Sequence, residues 1–326
     1  MKTTVLGAGA WGTALAWVLH QNDHEVTLWG HDPAHLEAMQ STRRNAPYLP
    51  DLALPDTWKY VRDPAAAARD AELVVMAVPS KAFRAVASTL GSTRATVVTA
   101  TKGIEFESGL TMGGILESVL PGSRIAALSG PSLAPEVARG VPTAVVAAST
   151  DETTAQWVQS AFHRPTFRVY RSQDRVGVEL GGALKNVIAI AAGVCDGLGF
   201  GDNSKAALIT RGQAEVRRLG VASGARSETF AGLSGLGDLT VTCFSRLSRN
   251  RSLGEQLGLG QTLEQATAST SSIAEGVPTA RAAWRLAMRL DIEVPIIREV
   301  HAMLFEGKSV PQMVRDLLHR DHKAED

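Results

Sequence analysis

The sequence is short of cysteine, of charge in excess of one sign and of long uncharged runs, and each shortage removes a class of protein. Two cysteines in 326 residues, Cys195 and Cys243, cannot build a disulfide framework or a cysteine-based metal cluster. Each reads as a small buried hydrophobe. The eight histidines show no ligand spacing beside Cys, Asp or Glu, so no metal site is expected. His20 and His24 share an i, i+4 spacing, but Asn22-Asp23 between them reads as a turn. Lys plus Arg and Asp plus Glu number 33 each, which leaves no positive excess for a nucleic-acid surface or a polybasic membrane patch. Any anion must therefore be held locally. No stretch offers the roughly 18 uncharged apolar residues of a membrane helix. The N-terminus runs straight into an apolar strand without a signal-peptide layout, and the expected compartment is the cytoplasm.

What is present is the composition of a globular protein, 44% hydrophobic and 20% charged, with length for one large or two ordinary domains. β-rich runs recur at Thr3–Leu6, Val26–Trp29, Leu73–Val78, Thr96–Ala100, Ile125–Leu128, Ala144–Ala147 and Phe167–Tyr170. Helical periodicity fills several gaps, at Thr13–His20 and Lys81–Leu90 among others. Apolar strands alternating with helices predict a mostly parallel sheet covered on both faces. From Asp174 onward the rhythm changes, and Val176, Leu180, Leu184 and Val187, then Ile296, Val300, Met303 and Leu304, follow helical spacing. The pattern predicts an α/β chain: a doubly wound domain over residues 1–172 and an all-helical domain over 173–326. No repeat is evident, and the cleft between two such domains favours ligands.

Residues 7–12 read Gly-Ala-Gly-Ala-Trp-Gly, after the first strand and opening the first helix. In that setting a G-x-G-x-x-G pattern points to a dinucleotide and a Rossmann-like domain. Gly7 allows the tight turn, Gly9 admits the pyrophosphate and Gly12 permits close packing, while the helix N-terminus offers N–H groups to phosphate. An ordinary tight glycine turn is the bland alternative. At the end of the second strand, where NAD-selective sites place an acid for the ribose, the sequence has Gly30, followed by His31. Asp32-Pro33 reads as N-cap and first turn of the next helix. This leans toward NADPH over NADH.

Four further segments stand out: Ala100 to Glu105 (ATKGIE), Ser129 to Ser132 (SGPS), Glu179 to Val187 (ELGGALKNV), and Gly235 to Leu239 (GLGDL) leading through Thr242 to Ser248-Arg249-Asn250-Arg251. A lysine in an apolar helix such as Lys185 suits proton transfer to or from an alcohol if burial and a nearby cation, for which Lys102 is available, bring its pKa toward roughly 7–8. It also suits a side chain that snorkels to water. Arg249 and Asn250 offer a planar fork and an amide to a phosphate. With Arg246 and Arg251 close by, they also fit a solvated basic turn. Asp238 reads either as the group orienting a lysine or the substrate hydroxyls, or as an N-cap or turn residue after Gly237.

In order and spacing, from Gly7 to Ala274-Glu275-Gly276, these motifs resemble the bacterial NAD(P)-dependent sn-glycerol-3-phosphate dehydrogenases. The resemblance implies hydride exchange between NADPH or NADH and the pair glycerol 3-phosphate and dihydroxyacetone phosphate, a homodimer, and a supply role for phospholipid synthesis. It implies Lys185 as the proton-transfer residue, with Lys102, Asn186, Asp238 and Thr242 at the reacting end. Gly130, Ser132, Ser248, Arg249 and Asn250 fall on substrate-binding positions, together with Lys102, Lys185 and Asp238. Gly7, Gly9, Ala10, Trp11, Gly12, His31, Lys102, Ala134, Arg249, Ile273 and Glu275 fall on cofactor-binding positions. Leu133 departs from the family pattern, where phenylalanine is common. Two other classes compete: a two-domain hydroxyacid or ketoacid dehydrogenase, which needs no Arg249-Asn250 clamp, and a non-catalytic dinucleotide sensor, which needs neither lysine.

Overall fold

Alternate residues along the strands bury on opposite faces of one sheet, which is what apolar runs with helices on both sides require. In a computed structural model, which describes residues 1–268 and 274–320, ten strands form. They are β1 Lys2–Leu6, β2 Glu25–Trp29, β3 Arg44–Asn45, β4 Leu49–Ala53, β5 Lys59–Val61, β6 Leu73–Met76, β7 Thr96–Thr99, β8 Ile125–Ser129, β9 Thr143–Ala148 and β10 Phe167–Ser172. Eight make one sheet in the order β10-β9-β8-β7-β6-β1-β2-β5, and β3 pairs with β4 in a separate hairpin. All pairings in the large sheet are parallel except β8 with β9. Val5, Leu73, Val75 and Val98 pack into the core on one face, with Leu15 and Leu19 of helix Ala10–His20. Leu6, Val74, Met76 and Val97 pack on the other, with Ile115 and Leu116 of helix Met112–Val119.

The seven sequence-predicted strands are all present. The sequence reading omits β5 and the β3–β4 hairpin. β5 is three residues long at the sheet edge, too short for a period, and β4 carries Pro50, which demotes a strand pattern. The helix expected over Lys81–Leu90 is shorter: a 3-10 turn at Ser80–Ala82 precedes helix Phe83–Ser88. His20 lies against Trp17 and Trp58, and His24 meets the Ala161 carbonyl.

Past β10 the described chain is helical, arranged around helix Arg175–Gly197. Asp174 caps it, accepting from Gly177 N at 2.9 Å. By length and composition this helix is apolar enough to cross a membrane, but 94% of its apolar window is buried inside the fold. It packs against helix Arg249–Gly258 at backbone distance. A Cβ on Gly193 would lie 1.9 Å from the Arg251 carbonyl oxygen, and one on Gly254 1.9 Å from that of Ile190. Glycine on both helices is what allows this approach. Glu179 ties the same helix to the sheet domain, accepting from Thr111 Oγ1 at 3.0 Å and Gly113 N at 2.6 Å.

Candidate active site

β1, β6, β7 and β8 run in parallel, so their C-terminal ends share one edge of the sheet, the place where doubly wound folds bind ligands. The glycine-rich loop lies there. Gly7 has φ +130°, and a Cβ on it would stand 2.4 Å from the Ala77 carbonyl oxygen. A Cβ on Gly12 would strike Gly7's own carbonyl oxygen at 1.8 Å. Gly9 differs: nothing lies within 4 Å of where its Cβ would be. Gly9 also opens helix Ala10–His20, which has no side-chain cap on its first N–H groups. Trp11 Nε1 is buried without a partner among the described residues. Backbone folded tightly at Gly7 and Gly12, open at Gly9 and lined by free N–H donors fits a dinucleotide pyrophosphate.

Gly30 ends β2 against Ala8, where a Cβ would come within 2.8 Å of the Ala8 side chain. Asp32 is the N-cap, accepting from Ala34 N at 2.9 Å, with Pro33 in the first turn of helix Pro33–Thr42. His31 is exposed. Ala134 starts helix Ala134–Ala138. Ile273 lies outside the described residues.

Across the edge, three charged side chains meet. Lys102, on the loop after β7, donates to Asp238 Oδ2 at 2.5 Å and to the Gly130 carbonyl at 3.2 Å. Lys185, in the middle of helix Arg175–Gly197, donates to the other oxygen of Asp238 and to Thr242 Oγ1 at 2.7 Å. Asp238 reaches this place because one turn of π-helix, Leu233–Gly237, feeds helix Asp238–Phe244 and sits against Gly181, where a Cβ would meet the Ser234 carbonyl at 2.6 Å. Burial pushes the Lys185 ammonium down to about 7; Asp238 pulls it back up and Lys102 pushes it further down. The turn-residue and snorkelling readings are therefore displaced: Asp238 is 1% exposed and Lys185 7%.

Gly130 has φ +143°, with Val145 Cα 2.9 Å from where its Cβ would be, and its carbonyl also accepts from Ser132 Oγ at 2.9 Å. The backbone approach of the two packed helices brings the Ser248 to Asn250 turn beside Asn186. Ser248 caps helix Arg249–Gly258 through Arg251 N at 3.2 Å. Asn250 donates to Asn186 Oδ1 at 2.9 Å and accepts from Gly276 N at 2.8 Å. Arg249 is exposed and has no polar partner among the described residues. Arg251, by contrast, is buried and ion-paired to Asp196 at 2.6 Å, and Asp196 also takes Lys205 on both oxygens at 2.8 Å. The basic turn is thus divided: Arg251 builds it and Arg249 is available. The Asp196–Lys205–Arg251 cluster was not read from sequence, since its members lie up to 55 residues apart and form no motif. Ser80 was missed as well: its N and Oγ donate to Glu275 at 3.1 and 2.5 Å.

The dinucleotide-binding half matches the N-terminal family profile of NAD-dependent glycerol-3-phosphate dehydrogenase over residues 2–155, and the helical half matches the C-terminal profile over 174–315. The chain is 48% identical to a glycerol-3-phosphate dehydrogenase [NAD(P)+] of Citrifermentans bemidjiense, covering 99% of this chain and 98% of that one. It is 49% identical to the enzyme so named in Syntrophotalea carbinolica, covering 100% and 99%. The crystal structure of a glycerol-3-phosphate dehydrogenase from Coxiella burnetii superposes with a TM-score of 0.95 at 38% identity, covering 98% of this chain and 99% of that one. A ketopantoate reductase from Ralstonia eutropha, at TM-score 0.63 and 19% identity, shares the fold.

Proposed function

This chain belongs to the NAD(P)-dependent glycerol-3-phosphate dehydrogenase family, and we propose how the cleft divides the labour of that reaction. The enzyme interconverts sn-glycerol 3-phosphate and dihydroxyacetone phosphate by hydride transfer with NADPH or NADH. The observation that carries the reading is the buried Lys185, held on Asp238 and Thr242 with Lys102 on the same carboxylate.

Bound along Gly7, Gly9, Ala10, Trp11 and Gly12, with His31, Ala134, Ile273 and Glu275 as further contacts, the nicotinamide cofactor supplies or accepts the hydride. The remaining work is done by side chains of this chain. As the ketone carbon of dihydroxyacetone phosphate gains a hydride, its oxygen gains negative charge, and the Lys185 ammonium stabilises that charge and gives up its proton. In the other direction the neutral amine takes the hydroxyl proton. A lysine titrating near 7 does both at neutral pH, and burial beside a second cation sets that value. Asp238 and Thr242 fix the direction of the amine. Lys102 serves as the second cation and, from its place by the Gly130 carbonyl, as a contact to substrate and cofactor.

The phosphate is held by Arg249, whose guanidinium has no polar partner among the described residues, with Ser248, Gly130 and Ser132 beside it. Asn250 spends its oxygen on Gly276 N and one donor on Asn186, so its second N–H is what it offers the substrate. Dividing the chain at 172/173 gives one domain for cofactor and one for substrate. We read the enzyme as a cytoplasmic homodimer whose product feeds phospholipid synthesis, from the resemblance of its motifs; cell fractionation and sedimentation test the first two.

One assay tests the function. Purified protein should consume NADPH absorbance on addition of dihydroxyacetone phosphate and respond far less to unphosphorylated dihydroxyacetone. Equal rates on the two would overturn the phosphate reading, and no consumption with either would overturn the activity.

A further inference from the structure

Ser80 touches two parts of the site, the Lys102 loop and Glu275, and is joined through a short stretch of chain to a third, the backing of the glycine-rich loop. It follows β6, which ends at Met76, in the segment that starts at Ala77 and opens the 3-10 turn Ser80–Ala82. Ala77 backs the glycine-rich loop, because its carbonyl oxygen occupies the space a Cβ on Gly7 would need, at 2.4 Å. On one side Ser80 backs the loop that carries Lys102, since a Cβ on Gly103 would come within 2.7 Å of the Ser80 Cβ. On the other it grips the helical half. Both of its donors, N at 3.1 Å and Oγ at 2.5 Å, go to the two oxygens of Glu275, 195 residues away.

Glu275 carries the connection onward. It precedes Gly276, whose N–H donates to Asn250 Oδ1 at 2.8 Å and whose Cα is pressed against the Asn186 carbonyl, 2.7 Å from where a Cβ would be. Asn250 in turn holds Asn186, the neighbour of Lys185. The connection therefore runs from Gly7 to Ala77 by close contact, along the chain through Val78 and Pro79 to Ser80, and by close contacts again through Glu275, Gly276 and Asn250 to Asn186. Its one junction between the halves is the carboxylate on Ser80. A hydrogen bond to a charged acceptor is stronger than one between neutral groups, and two from one residue fix its direction as well as its distance. Hydride transfer is sensitive to such register, because misplacing reacting atoms by an ångström costs orders of magnitude in rate.

We propose that Ser80 is a positioning residue: acting through Glu275, it holds the glycine-rich cradle in register with the lysine–aspartate cluster. The proposal rests on the hydride-transfer reading above for its kinetic consequence, but the clasp itself is a property of the protein without ligands.

The experiment has two arms. In the first, Ser80→Ala, Glu275→Ala and the double variant are compared by single-turnover NADPH oxidation with dihydroxyacetone phosphate. Ser80→Ala should slow hydride transfer about tenfold, while its affinity for NADPH alone stays within about threefold of wild type and its Tm is unchanged. The double variant should be no slower than Glu275→Ala within about twofold, the mark of two residues acting as one. Losses that multiply, or a Ser80→Ala rate equal to wild type, would overturn the proposal. In the second arm, hydrogen exchange of the Gly276 amide is measured on the cofactor-free protein. Ser80→Ala should speed that exchange at least about tenfold by freeing Glu275; unchanged protection would also overturn it. Should Ser80→Ala not fold, Ser80→Cys, which keeps the volume but is a weak donor, carries the same expectations. If wild type itself oxidises no NADPH with dihydroxyacetone phosphate, the functional reading fails, and the exchange arm still judges the clasp.

Discussion

Lys102 and Lys185 occupy the two oxygens of a single carboxylate, that of Asp238, one arriving from the sheet domain and the other from the central helix. Two ammonium groups on one buried acid cannot both be comfortable as cations. Burial falls hardest on Lys185, which is pushed down to about 7. In the proposed role of Lys185, ketone reduction consumes the protonated amine and alcohol oxidation the neutral one. Above pH 6.5, past the second ionisation of a phosphate monoester near 6, kcat/KM for dihydroxyacetone phosphate should be highest at the acid end and fall tenfold per unit above about 7. For glycerol 3-phosphate it should climb with pH through the same value and level off. Initial rates in both directions between pH 6.5 and 9.5 check this; profiles that bend the same way would remove the shared acid/base.

Arg249 heads a helix with its guanidinium exposed and unpartnered among the described residues. Charge-assisted hydrogen bonds contribute about 1.5–3 kcal/mol each. Arg249→Ala should therefore cut kcat/KM for dihydroxyacetone phosphate by about ten- to a hundredfold and alter the weak rate on dihydroxyacetone much less. Arg251→Ala should behave differently, because Arg251 is buried on Asp196: it should lower Tm and affect both substrates alike. Equal losses on both substrates for Arg249→Ala would assign that residue to folding or cofactor instead.

How far the sequence carries this picture depends on the separation of the partners. The glycine loop, the seven apolar strands of the large sheet and the change to helices at Asp174 are local patterns, legible because a period of 2 or 3.6 needs few residues. Lys102, Lys185 and Asp238 are named by motifs, yet nothing local says that they share one carboxylate; that follows from Gly181 letting the π-turn lie on the central helix. The Ser80–Glu275 and Asp196–Arg251 contacts span 195 and 55 positions and involve residue types common on any surface. Without the fold such pairs carry no signal. β5 is missed for the opposite reason: it is local but three residues long.

Cofactor choice turns on the end of β2. Position 30 has no room for an acidic side chain, since even a Cβ would stand 2.8 Å from Ala8 Cβ, and Asp32 is occupied in capping the next helix. NADPH should therefore serve at least as well as NADH. A preference for NADH above tenfold in kcat/KM, about 1.4 kcal/mol, would mean that Asp32 leaves its cap for the ribose. Asp32→Ala separates the two roles: as a cap alone, its loss should cost about 1 kcal/mol of stability and leave the NADPH-to-NADH ratio within about twofold.

Lys185→Met removes the proton and the charge while keeping most of the length and the apolar stem. Asp238 retains Lys102 and therefore does not become an unpaired buried charge, so the variant should fold. Its stability should also respond to pH differently. In wild type the folded chain gives up the Lys185 proton at about 7, whereas the unfolded chain keeps it to about 10.5. Between those values the unfolded state binds more protons, so wild-type stability should rise with pH relative to the variant. Denaturant unfolding at pH 7 and pH 9.5 reads that difference without substrate. As the acid/base, Lys185 should contribute roughly 10²–10⁴ to kcat, and the variant should lose that much while NADPH still binds at the untouched glycine loop. Stopped-flow single turnovers distinguish slow chemistry from slow product release. A folded Lys185→Met enzyme that keeps more than about a tenth of the wild-type single-turnover rate, set against that expected range, would shift proton transfer to Lys102, the other cation on Asp238.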